Sequence, residues 1–139
     1  MEVITLDSWA EEKGIRRLDF IKLDVEGYEA NVMAGAAGLI CTFRPSILME
    51  FNSLTICFEA LLSPVTFAEA LHRLFLLYQV DENGTRAELS NMRDFVYTNL
   101  VSNGFVEDLL MLPRPGLTAA EIRTVLAPIL AARGDRGRA

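Results

Sequence analysis

Residues 18–29 read Leu-Asp-Phe-Ile-Lys-Leu-Asp-Val-Glu-Gly-Tyr-Glu (LDFIKLDVEGYE), and this stretch decides the fold. The β-favouring residues 18–25 predict a strand that closes at Glu26-Gly27. Apolar residues recur at three- and four-residue steps over residues 28–43 and predict a helix, and residues 46–51 predict a second buried strand. Strand, helix and strand within this length form a βαβ unit with parallel strands. The predicted class is therefore α/β.

The flanking segments predict further elements. Residues 3–6 are typical of a short strand, and Ser8 with Glu11 has the capping-box spacing that starts a helix, which should end at Gly14. Thr118 and Glu121 repeat the capping-box spacing near the C-terminus. We divide the chain into a main unit over residues 1–116 and a C-terminal helix with a disordered tail over residues 117–139.

Composition excludes several classes of protein. The chain has 139 residues, 51% of them hydrophobic, which is enough for one folded core. A formal net charge of −6 argues against nucleic acid as a partner. No apolar run reaches the length of a membrane span, so we expect no membrane insertion. Cys41 and Cys57 stand in apolar contexts, where we expect buried free thiols, and this suits a cytoplasmic protein.

An acidic row marks the candidate site. Lys22, Asp24 and, if the strand continues, Glu26 share one face of the first predicted strand. Parallel strands covered on both faces are normally apolar, and an unpaired buried charge is costly. Open α/β sheets bind ligands at the carboxyl ends of their strands, where these residues lie. A purely structural alternative stays open, in which Lys22 pairs with Asp24 while Glu26 and Glu29 are first-turn helix acids.

Two segments carry a family resemblance. TLDSW at residues 5–9 and DFIKLDVEGYEANVMAGAAGLICTFRPSILMEF at residues 19–51 resemble the FkbM methyltransferase family. The shared residues are Thr5, Leu6, Asp7, Ile21, Lys22, Asp24, Val25, Glu26, Gly27, Glu29, Gly35, Ala36, Arg44, Pro45 and Glu50. The resemblance implies a class I, Rossmann-like methyltransferase fold and methyl transfer from S-adenosylmethionine to a hydroxyl oxygen of a small molecule or glycan.

The same resemblance implies roles for four residues. Asp24 would lie next to the methionine part of the cofactor. Glu26 would orient or deprotonate the acceptor hydroxyl. Lys22 would pair with a carboxylate and keep it ionised, and Glu50 would line the same cleft and contact the acceptor.

The cofactor's glycine-rich turn has no counterpart here, because no two glycines have the G-x-G spacing. We therefore expect that the N-terminal, cofactor-binding half of the domain is absent. The chain would be a truncated form that neither binds S-adenosylmethionine nor transfers methyl groups by itself. The strand at residues 18–25 would then have an open edge, through which copies could associate.

Two competing interpretations come from other classes of protein. The first is a non-catalytic α/β interaction module that binds a partner at its open sheet edge. The second is a Mg²⁺-dependent enzyme with Asp24, Glu26 and Glu50 as oxygen ligands. The methyltransferase interpretation itself assigns no metal ligand.

Overall fold

The protein is an α/β fold built on one open, five-stranded sheet. The computed structural model describes residues 3–84 and 86–134, with side chains described as far as residue 131. Its elements in chain order are α1 (Leu6–Lys13), β1 (Phe20–Leu23), α2 (Glu29–Gly35), α3 (Ala37–Phe43), β2 (Ser46–Asn52), α4 (Ser53–Phe58), α5 (Pro64–Leu74), β3 (Phe75–Val80), β4 (Arg86–Glu88), α6 (Met92–Val101), β5 (Val106–Pro113) and α7 (Ala119–Gly134).

The strand order in the sheet is β1-β2-β5-β3-β4. β1 and β2 pair in parallel, as the βαβ pattern predicts, with Lys22 opposite Leu48. β5 comes last in the chain but lies between β2 and β3, antiparallel to both. The sheet is therefore complete only when a late segment inserts between two earlier strands.

The two faces of the sheet differ in what covers them. Ile47, Met49 and Phe51 of β2 are buried and belong to one core cluster with residues of α2 to α7. Leu48 and Glu50, the residues between them, are half-buried and lie outside that cluster. Because side chains alternate along a strand, the helices pack on one face and leave the other to Leu48, Glu50 and their neighbours.

The N-terminal segment differs from the prediction. Residues 3–5 form no strand, and the helix begins at Leu6 because the Thr5 hydroxyl accepts a hydrogen bond from the Ser8 backbone N–H. The N-cap of α1 is therefore Thr5, and the prediction of an N-cap at Ser8 is wrong. The end of the helix at Gly14 is confirmed, with a left-handed φ of 63°.

The predicted helix over residues 28–43 is two helices, α2 and α3, with a break at Ala36. The reason is a long-range cap. The Asp7 carboxylate accepts hydrogen bonds from the backbone N–H groups of Gly38 and Leu39, both at 2.9 Å, and so satisfies the first turn of α3. Arg123 of α7 lies 3.2 Å from the same carboxylate. Asp7 thus joins α1, α3 and α7.

The strand predictions hold with shifted limits. The first strand covers residues 20–23 rather than 18–25, and the second continues one residue further, to Asn52. The capping box at the C-terminus is confirmed, because Thr118 and Glu121 exchange hydrogen bonds. α7 then buries Ile122 and Leu126 in the same core as the sheet. The tail predicted to be disordered, residues 135–139, lies outside the described residues.

The two cysteines are free thiols, as predicted. Their expected burial is wrong for Cys57, which is exposed, whereas Cys41 is half-buried. Cys57 lies in α4, an element that the sequence pattern did not predict.

Replacement of Asp7 should destabilise the fold. Asp7→Ala removes both hydrogen bonds to α3 and the contact with Arg123, so we expect a loss of about 1–3 kcal/mol in the free energy of unfolding. Urea denaturation measures this loss. Glu11→Ala, at an exposed position one turn further along α1, is the control and should change stability by less than about 0.5 kcal/mol. Equal effects of the two substitutions would contradict the long-range cap.

Candidate functional site at the carboxyl ends of β1 and β2

The predicted residues Lys22 and Asp24 lie together where β1 ends. Lys22 Nζ is 3.8 Å from Asp24 Oδ2, and both side chains are exposed, at 62% and 40%. An ion pair this open contributes little to stability. The ion pair matters for its location, because it lies beside the carboxylates that follow in the chain.

Glu26 reaches this position through a turn and not along a strand. β1 ends at Leu23, so the continuation of the strand that was considered for Glu26 does not occur. Glu26 instead has a φ of 49° and Gly27 a φ of 95°, two left-handed residues in succession. Left-handed backbone is unfavourable for residues with a Cβ atom, so the turn at Glu26 must be held by its surroundings.

The surroundings of Gly27 show how the turn is held. A Cβ atom at this position would lie 3.3 Å from the Ala60 backbone nitrogen and equally close to the Thr55 carbonyl oxygen. The turn thus packs directly on the end of α4, where a glycine fits without displacing backbone.

Glu50 completes a group of three carboxylates. One carboxylate oxygen each from Asp24, Glu26 and Glu50 lies within 4.8 Å of the others, and we call these residues the acid cluster. Glu50 lies in β2, near the carboxyl end of the strand parallel to β1. The structure therefore brings together all four residues that the sequence singled out, with Lys22 at the margin of the acid cluster.

Charge and partial burial affect Glu50 most. Burial raises the pKa of the Glu50 carboxyl, and the negative charges of Asp24, Glu26 and Asp108 raise it further, whereas Lys22 lowers it. The lowering of the Glu50 pKa by Lys22 has the predicted direction, in which Lys22 keeps a neighbouring carboxylate ionised. Repulsion among like charges and loss of water both favour a protonated carboxyl.

Asp108 is a residue that the sequence interpretation missed. It lies directly opposite Glu50 in the antiparallel pairing of β2 and β5. No local pattern could have indicated it, because its position depends on the insertion of β5 beside β2. It adds a negative charge to the surroundings of the acid cluster.

The acid cluster is open to solvent. Asp24 and Glu26 are exposed and Glu50 is half-buried. A groove of about 360 Å³ is lined by Tyr28, by residues 3–6 and by Asn31, Val32 and Gly35, and it includes none of the three carboxylates. The acid cluster itself is a solvent-exposed surface at the ends of the strands, and the cleft that the resemblance implies stays a prediction.

Carboxylates in this arrangement can accept a proton, hold a cationic group, or share a divalent cation through their oxygens. The positively charged methionine end of S-adenosylmethionine would fit such a donor set by charge. These are the chemical possibilities of the cluster.

Residues elsewhere in the shared motif have structural positions. The Arg44 guanidinium donates to the carbonyl oxygens of Pro113 and Arg114, at 2.6 and 2.9 Å, and so joins the end of α3 to the end of β5. Thr5 lies against Gly35, where an added Cβ would approach the Thr5 side chain to 3.4 Å. These contacts align the helices with the sheet and do not touch the acid cluster.

An open sheet with flanking helices and a polar cluster at the ends of two parallel strands defines a Rossmann-like α/β protein of the methyltransferase type. Residues 1–100, more than two thirds of the chain, match the family model described as the methyltransferase FkbM domain. The chain therefore belongs to the FkbM methyltransferase family. Comparisons with the curated proteins and with the solved structures gave no match.

None of the helices described within residues 3–84 and 86–134 combines the length and apolar character that a membrane crossing requires.

The raised pKa of Glu50 has a consequence for stability. A carboxyl whose pKa is higher in the folded than in the unfolded state contributes stability at low pH, and this contribution is lost as pH rises through the folded pKa. Glu50→Gln removes the titration. We expect this variant to gain stability over the wild type at about pH 7 and to gain less or nothing at about pH 4.

Urea denaturation of both proteins at the two pH values measures this difference. Glu88→Gln, at an exposed glutamate in β4, is the matched control for the removal of one carboxyl group. An equal gain for Glu50→Gln at both pH values would contradict the proposed crowding of negative charge around Glu50.

Proposed function

We propose that this chain is part of an S-adenosylmethionine-dependent methyltransferase that methylates a hydroxyl group of a small molecule or glycan. Membership of the FkbM family supports methyl transfer. The observation that carries the assignment of the site is the convergence of the acid cluster at the carboxyl ends of β1 and β2. We further propose a cytoplasmic location, because both cysteines are free thiols.

The proposed roles are those that the family resemblance implies, and the charges at the site are compatible with them. S-adenosylmethionine supplies an activated methyl group on a sulfonium ion. Asp24 contacts the cationic methionine end of the cofactor. Glu26 accepts the proton of the acceptor hydroxyl or orients that hydroxyl for in-line attack. Lys22 limits the repulsion among the carboxylates, and Glu50 contacts the acceptor from β2.

Substitutions in the acid cluster test these roles. Asp24→Asn and Glu26→Gln should each lower kcat/KM for methyl transfer by about 100-fold or more, since general-base and positioning groups have effects of this size. Transfer of labelled methyl to a panel of hydroxyl compounds measures the loss. The assay uses residues 1–139 within a protein that also carries a cofactor-binding half. Glu12→Gln, exposed in α1, is the control. Unchanged rates in both site variants would show that the roles proposed for Asp24 and Glu26 are wrong.

We also propose that the glycine-rich cofactor turn lies outside residues 1–139. The absence of any G-x-G pair supports this, because the glycines of such a turn allow the backbone to come close to the cofactor. Calorimetry of residues 1–139 with S-adenosylmethionine should then show no binding. A dissociation constant in the micromolar range would contradict the proposal that the cofactor turn lies outside residues 1–139, but it would leave methyl transfer possible.

A Mg²⁺-dependent enzyme is the second candidate function, and the spacing of the three carboxylate oxygens favours it. Under this alternative, Mg²⁺ raises the melting temperature of the wild type, and Asp24→Asn abolishes that rise. Under the methyltransferase proposal, Mg²⁺ has no effect that depends on Asp24.

Self-association or binding of a protein partner through β1 stays a prediction. β1 is the first strand in the order of the described sheet, and Phe20 on it is 53% exposed. An edge strand with an exposed aromatic residue can add a further strand. Sedimentation of the chain at several concentrations measures whether copies associate.

A further inference from the structure

Glu29 has an environment that the acid cluster does not explain. It is 4% exposed and is the only charged side chain in the buried class among residues 3–84 and 86–131. The ion pairs found among those residues do not include it. A buried carboxyl group needs hydrogen-bond donors to offset the loss of water, so the donor that it binds indicates the purpose of this side chain.

The hydrogen bond of Glu29 indicates that purpose. Its carboxylate oxygen Oε1 accepts a bond of 3.1 Å from the backbone N–H of Gly27. That N–H belongs to the peptide group that joins Glu26 to Gly27. Its orientation is defined by ψ of Glu26 and φ of Gly27, so the hydrogen bond holds the second half of the turn that begins at the left-handed Glu26, whose φ is 49°.

The turn is therefore held from two sides. The end of α4 lies close to Gly27 on one side and leaves little space for a Cβ atom there. The carboxylate of Glu29 holds the peptide group on the other. If these two contacts were lost, the strained left-handed backbone of Glu26 would relax, and its side chain would leave its position beside Asp24 and Glu50.

We propose that Glu29 is a positioning residue that holds Gly27, keeps the left-handed turn at Glu26 from relaxing, and thereby holds the Glu26 carboxylate in the acid cluster. The importance of Glu29 for methyl transfer rests on the proposed function, in which Glu26 acts on the acceptor. Its importance for the geometry of the turn does not depend on that activity.

Two substitutions separate the hydrogen bond from the size of the side chain. Glu29→Met keeps the length of the side chain in an apolar environment but removes the strong acceptor. Glu29→Gln keeps a carbonyl oxygen and is the matched control. Amide hydrogen exchange at Gly27, followed by NMR, should be at least about 10-fold faster in Glu29→Met and within about threefold of the wild type in Glu29→Gln.

A second measurement tests the effect on Glu26. Glu26→Gln removes one of three crowded negative charges and should raise the melting temperature by about 1–3 °C at low salt. The rise should persist in the Glu29→Gln background and vanish in the Glu29→Met background, where Glu26 no longer lies beside Glu50. A purely structural Glu29 would lower the melting temperature of Glu29→Met and leave the rise from Glu26→Gln intact. That outcome would overturn the proposal.

Methyl transfer supplies the functional measurement. In the protein that joins residues 1–139 to a cofactor-binding half, Glu29→Met should lower kcat at least about 10-fold with KM for S-adenosylmethionine within about twofold of the unsubstituted protein, and Glu29→Gln should restore kcat. If the wild type transfers no methyl group, the proposed function fails while the exchange and melting results still decide the role of Glu29. If Glu29→Met retains full kcat in an active protein, the positioning role is wrong.

Discussion

The close contact between the backbone of Gly27 and the end of α4 is the constraint on which the site depends. A Cβ atom at residue 27 would lie 3.3 Å from the Ala60 nitrogen and the Thr55 oxygen, so these backbone groups would have to shift to admit it. Gly27 and Glu26 also have left-handed φ values of 95° and 49°, so the chain leaves β1 through a left-handed turn that carries Glu26. One position without a side chain thus determines where a neighbouring carboxylate lies.

The residues shared with the FkbM family divide into two groups. Asp24, Glu26 and Glu50 converge at the ends of the parallel strands. Asp7 and Arg44 lie elsewhere, where they satisfy the amides of α3 and the carbonyl groups after β5. The second group fixes the helices that connect β1 to β2, whereas the parallel ladder between the two strands sets the distance between them. A family motif therefore contains both a candidate site and the contacts that align it.

The spacing of residues along the chain predicted those features that depend on neighbouring residues. The parallel pairing of β1 and β2 and the capping box at Thr118 follow from side-chain alternation and from hydrogen bonds within one turn. The break at Ala36 could not be predicted in this way, because α3 is capped by the Asp7 carboxylate, which accepts a hydrogen bond from the Gly38 backbone N–H and lies 31 residues before Gly38 in the chain. The approach of Asp108 to Glu50 depends on a pairing that forms across the sheet. The candidate residues were thus predictable, but the shape and openness of their site were not.

The central position of β5 has a consequence for synthesis of the protein. β2 and β3 make no ladder with each other and are joined only through β5, which spans Val106–Pro113. A nascent chain that has emerged only as far as α6 holds two separate sheet fragments with unpaired backbone groups. The ribosome must release nearly the whole of this chain before the hydrogen bonds of β2 and β3 can be completed. During that interval the fragments are suitable substrates for chaperones that bind extended apolar segments.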